Sequence, residues 1–135
     1  MDVVPLMSKK ERMTAKQILI IALLLGALSV ALGAFAAHGL KKLVDAYYLE
    51  IFEKAVRYQF YHVFALAITG LIAERYLATN FSLVAYLFLA GMFFFSGSLY
   101  LMTFTQQKWL GAITPIGGLA FIGGWLLLAF KLYKS

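Results

Sequence analysis

The chain has 135 residues, the length of one domain. Hydrophobic residues make up 63% of it and charged residues 13%, against roughly 45–50% and 25% in soluble domains, so lipid is the expected solvent. With no cysteine, disulfides, thiolate metal sites and thiol nucleophiles are excluded, and a net charge of +6 fits juxtamembrane attraction to anionic lipid better than a nucleic-acid partner.

Residues 1–15 form a basic N-terminal tail ahead of the first apolar run, Ile18 to Ala37, which carries no charge over its 20 residues. That length matches the ~20 residues needed to cross the hydrocarbon. Lys9, Lys10, Arg12 and Lys16, followed by Ala34-Phe35-Ala36, imitate a signal peptide with its cleavage site. A signal core is only about 7–15 residues, so a retained span is expected. Small residues recur along it at Ala22, Gly26, Ser29, Gly33 and Ala37, a pattern that lets membrane helices approach closely.

After Ala37-His38-Gly39-Leu40 comes a mixed stretch with Asp45 as a plausible N-cap. Glu50 to Lys54 and Glu53 to Arg57 are i,i+4 pairs with the acid N-terminal. A short interfacial amphipathic helix is expected here, running on into the second span at about residues 55–73. On that span Tyr58, His62, Ala65 and Thr69 share one stripe, with Gln59 beside it.

The third and fourth spans are placed at about residues 81–104 and 110–130, with stripes Gly91, Phe95, Ser98, Met102 and Thr114, Gly117, Phe121, Gly124. Thr114-Pro115 opens the fourth, where proline's missing N–H costs nothing. Gly117-Gly118 and Gly123-Gly124 read as helix contact points. Short loops imply antiparallel neighbours, so the expected fold is an all-α integral membrane four-helix up-down bundle. Trp109, Trp125 and the tyrosines near span ends fit interfacial anchoring. The side with the termini holds seven Lys and Arg against five on the other, which favours cytoplasmic termini.

Four ordered motifs carry a family resemblance. Gly33-Ala34-Phe35-Ala36-Ala37-His38-Gly39-Leu40 closes the first span, and Phe52-x-x-Ala55-Val56-Arg57-Tyr58-Gln59-x-Tyr61-His62 opens the second. Phe95-Ser96-Gly97-Ser98-Leu99-Tyr100 lies in the third, and Gly111-x-x-Thr114-Pro115-Ile116-Gly117-Gly118 with Gly124-Trp125 marks the fourth. From about Lys16 to Lys131 the chain resembles the small multi-pass membrane family known as domain of unknown function 423. The resemblance implies a compact helical membrane protein and supplies no reaction, substrate or catalytic residue.

Polar groups inside spans are expensive and need a partner or a purpose. The candidate polar pocket comprises His38, Arg57, Tyr58, Gln59, His62, Ser96, Ser98 and Thr114. His38 and His62 are the only histidines, and antiparallel spans could bring them to one membrane side as metal or haem ligands. A core histidine bonded to a neighbour such as Ser98 is the commoner role. Ser96-Gly97-Ser98 lacks an orienting acid and the Gly-x-Ser-Gly form expected of an intramembrane serine hydrolase. Spans one, three and four contain no carboxylate, which disfavours a proton-coupled exporter.

The residues therefore point to a non-enzymatic protein of the bacterial plasma membrane with no catalytic, metal or cofactor site. Its partners would be membrane lipids, and it would work as a homo-oligomer or as an accessory subunit, not with nucleic acid. The alternative is a small permease or lipid-handling protein with a polar intramembrane pocket around Gln59 and His62.

Overall fold

The computed structural model describes Ser8 and residues 11–135, so Lys9 and Lys10 of the basic lead lie outside the described residues. The described chain is helical: α1 Ala15–Ala37, α2 Ala46–Arg75, α3 Ser82–Gly91, α4 Gly97–Thr105 and α5 Thr114–Lys134. One π-helical turn, Met92–Ser96, joins α3 to α4 without a loop, giving a single rod of Ser82–Thr105 and four rods in all.

Local chemistry sets the ends. The Thr14 side chain accepts from the Gln17 N–H while the Gln17 side chain accepts from the Thr14 N–H, a reciprocal cap that starts α1 three residues before Ile18. Asp45 caps α2 as expected, its Oδ1 accepting from the Tyr48 N–H at 3.1 Å. Gln106 ends α4 in the left-handed conformation with φ 56°. Proline sits in the first turn of α5, where its missing N–H is no loss.

Close contacts fix how the rods run. A methyl added at Gly26 would lie 3.5 Å from Val63, and one at Gly33 would lie 3.6 Å from Val56. Gly70 would crowd Leu19 at 2.7 Å, so α1 lies antiparallel on α2. Gly124 meets Phe88, Gly91 meets Phe121 and Gly117 meets Phe95, which sets α5 antiparallel to the third rod. In each Gly-Gly pair one member makes the close approach: Gly117 and Gly124 leave no room for a methyl, whereas one at Gly123 would only reach Leu87 at 3.8 Å and nothing lies within 4 Å of Gly118. This is the small-residue packing that membrane helices require.

The expected stripes are buried at Ala22, Ser29, His62, Ala65, Thr69, Gly91, Ser98, Met102, Gly117, Phe121 and Gly124. On α1 the stripe ends at buried Ala36, and Ala37 is exposed, because the helix face has drifted past it. Leu23, Leu24, Phe93, Leu119 and Leu126 point outward, each more than 60% exposed, as lipid-facing side chains should.

Two sequence expectations are modified. Among the described residues three helices are long and apolar enough to cross a membrane: Ala15–Lys42, Ser82–Thr105 and Lys108–Lys134. α2 falls short of that apolarity because Glu50, Glu53, Lys54 and Arg57 occupy its first half and Gln59 and His62 its middle. The amphipathic stretch is the opening of one continuous 30-residue helix. A single 3-10 turn, Leu40–Lys42, lies between α1 and α2.

Candidate functional site

The middle of α2 carries two buried polar groups one turn apart, and each is bonded to other helices. Gln59 Nε2 donates to Ser29 Oγ on α1 at 2.8 Å, and Gln59 Oε1 accepts from the Tyr100 hydroxyl on α4 at 2.7 Å. Ser29 passes its own hydroxyl proton to the Leu25 carbonyl at 2.7 Å. A carbonyl can only accept, so the direction of the whole chain is fixed: Tyr100 to Gln59 to Ser29 to Leu25. It ties three rods together.

His62 is held by a second set. Its Nδ1 lies 2.7 Å from the Tyr58 carbonyl, so Nδ1 carries the proton. Nε2 is then the acceptor for the Trp125 indole N–H on α5, at 3.1 Å. The ring stacks on Phe121 with centroids 3.4 Å apart and planes 8° apart. Phe88 lies tilted beside it with centroids 5.8 Å apart. Both nitrogens of the neutral ring are thus used within the protein: Nδ1 donates its hydrogen, and the one available lone pair, on Nε2, accepts from Trp125.

These groups sit at mid-depth. Gly26, the centre of α1, faces Val63, the residue after His62. The motif from Phe52 to His62, expected to open the second span, instead carries Gln59 and His62 to the middle of α2. Trp125, expected as an interfacial anchor, is instead the partner of His62 at the same depth. Trp109 is 64% exposed beyond the end of α4.

The remaining candidates are dispersed. Ser96 Oγ donates to the Ala55 carbonyl at 2.7 Å, pinning the π-helical turn to α2. Ser98 gives its proton to the Phe95 carbonyl at 2.9 Å and meets Thr114 Oγ1 at 2.7 Å, which leaves Thr114 as the donor of that pair. Tyr58 is 37% exposed, and its ring is tilted 31° against Phe95 with centroids 4.5 Å apart. Arg57 and His38 are exposed and outside both networks. His38 lies past Gly33, whose partner is Val56, so it is separated from His62 by roughly 16 Å along α2 at 1.5 Å per residue. The two histidines do not meet. Among the described residues no three His, Asp or Glu side chains cluster as a metal would need.

Sequence reasoning missed Ser29, Tyr100 and Trp125 as partners. Ser29 was visible only as a small residue in a stripe. Tyr100 and Trp125 carried the aromatic signal of a membrane interface, and depth is not written in residue type.

Helices of this length and apolarity, with polar groups bonded to each other inside them, define a helical integral membrane protein. Residues 32–118 match the family described as "Protein of unknown function (DUF423)", and the chain belongs to it. It is 45% identical to UPF0382 membrane protein SH2409 of Staphylococcus haemolyticus over 119 residues, covering 88% of this chain and 97% of that one. It is 39% identical to UPF0382 membrane protein YwdK of Bacillus subtilis over 108 residues, 79% of this chain and 88% of the relative. No solved structure matches.

Proposed function

We propose that this chain is a non-enzymatic up-down four-helix membrane bundle that acts through helix and lipid contacts. It would serve in a homo-oligomer or as an accessory subunit of a membrane complex. In this reading the start of α2, bearing Glu50, Glu53 and Lys54, lies at the headgroup level, and the rest of the helix crosses with the other three rods. The observation that supports it is the chain from Tyr100 through Gln59 and Ser29 to the Leu25 carbonyl. A substrate pocket needs polar groups that converge on empty space. Here the polar atoms of Gln59 and His62 are already bonded within the protein, to Ser29, Tyr100 and Trp125 on neighbouring helices and to the Tyr58 carbonyl on α2, which is the use that packing makes of polar residues in lipid.

Because the chain has no native cysteine, single-cysteine variants report cleanly. Ser29→Cys in native membranes should resist a membrane-impermeant maleimide from both sides, while Lys108→Cys on its exposed turn should label from one side. Labelling of Ser29→Cys would mean that water reaches the Gln59 region, and the permease reading would replace this one.

A further inference from the structure

An open groove of about 530 Å³ runs along the outer face of α4, within the roughly 300–1,000 Å³ typical of ligand sites. Phe93, Phe94, Gly97, Leu101, Leu110 and Ile113 line much of it. Its floor exists because Gly97 has no side chain: an added Cβ would meet nothing nearer than the Met92 carbonyl at 3.9 Å. Its far wall exists because the left-handed Gln106 turns the chain back, so that the 3-10 turn Lys108–Ala112 brings Leu110 against α4.

We infer that this groove holds one acyl chain of an anionic phospholipid whose phosphate is met by Lys108. Three observations carry this. From Phe93 to Phe104 the groove rises roughly 16 Å at 1.5 Å per residue, half of the about 30 Å hydrocarbon core and therefore the depth of one leaflet. Its outer end reaches the turn bearing Lys108 and exposed Trp109, residues suited to the headgroup level. That side of the protein holds Lys41, Lys42, Lys54, Arg57 and Lys108 against Asp45, Glu50 and Glu53, so it favours a negative headgroup.

A second copy of the chain fits the same face poorly. Membrane helices pair through small residues, and the rim of this groove is Phe93, Phe94, Leu101 and Phe104. Large side chains hold another backbone away but leave room for a thin, flexible hydrocarbon chain.

The inference rests on the lipid-contacting reading above, and its test can fail separately. The full-length protein, extracted in mild detergent, is mixed with phosphatidylglycerol or phosphatidylcholine of identical acyl chains and weighed by native mass spectrometry. One phosphatidylglycerol should be retained in preference to phosphatidylcholine. Gly97→Leu, which fills the floor, should lower retention of both lipids about fivefold or more, equivalent to ~1 kcal/mol. Lys108→Gln, at an exposed position, should remove only the headgroup preference. Equal retention of both lipids by all three proteins would overturn the site, as would a dimer that Gly97→Leu abolishes, which would make the occupant a second copy. Either result with Ser29→Cys still unlabelled would sink the lipid site alone.

Discussion

Trp125 Nε1 donates to His62 Nε2 at 3.1 Å, joining the only buried histidine on α2 to the middle of α5. An indole N–H can only donate and the Tyr58 carbonyl can only accept, so the two bonds admit one state of the ring: neutral, with the proton on Nδ1. Stacking on Phe121 then orients its plane. The result is a polar side chain used to position two helices.

That state is directly observable. Nitrogen-15 NMR of histidine-labelled protein should show an Nδ1-protonated neutral tautomer for His62, assigned by the loss of its signals in His62→Leu. Trp125→Phe should shift the Nε2 resonance and leave the Nδ1–H in place. An Nε2–H tautomer in the native protein would contradict the arrangement.

The glycines of α5 should differ sharply. Gly117→Ala places a methyl on the Phe95 backbone nitrogen, and a backbone cannot move aside as a side chain can, so a loss of about 1–3 kcal/mol is expected. Gly118→Ala meets nothing within 4 Å and should be neutral or stabilising by up to about 1 kcal/mol through helix propensity. Thermal unfolding in detergent of the two variants, side by side, reads the difference. Equal melting points would show that the close approach of α5 to the π-helical turn is wrong.

Ser96→Ala removes the single hydroxyl that reaches from the π-helical turn to the Ala55 carbonyl. The loss should be about 0.5–1.5 kcal/mol, because the carbonyl keeps its place in α2 while the turn loses a tether. Ser98→Ala, which breaks the link to Thr114 at the start of α5, should cost a similar amount. Denaturant unfolding of both variants checks this, and no loss in either would count against a structural role for the serines.

Much of the fold was legible because the signals were local. Asp45 as a cap, Thr114-Pro115 as a helix start and the stripes through Gly26, Gly91 and Gly117 each follow from one residue and its spacing. The π-helical turn was not legible, since Met92-Phe93-Phe94-Phe95-Ser96 has no pattern distinguishing it from an ordinary turn of apolar helix. Depth was the other blind spot. Gln59 and His62 follow a charged stretch and so read as the opening of the second span, but α2 begins at Ala46 and carries them to its middle. Their partners Tyr100 and Trp125 lie 41 and 63 residues away in sequence, and no periodicity links positions so distant.

The account turns on the claim that buried polar groups pair with one another across helices. The most direct measurement is a double-mutant cycle between Gln59→Leu and Tyr100→Phe, read by reversible unfolding in detergent or bicelles. Gln59 Oε1 and the Tyr100 hydroxyl are 2.7 Å apart, so a coupling of roughly 0.6–1.7 kcal/mol is predicted, with the double variant less destabilised than the sum of the singles. Strict additivity would contradict the pairing and with it the packed polar core.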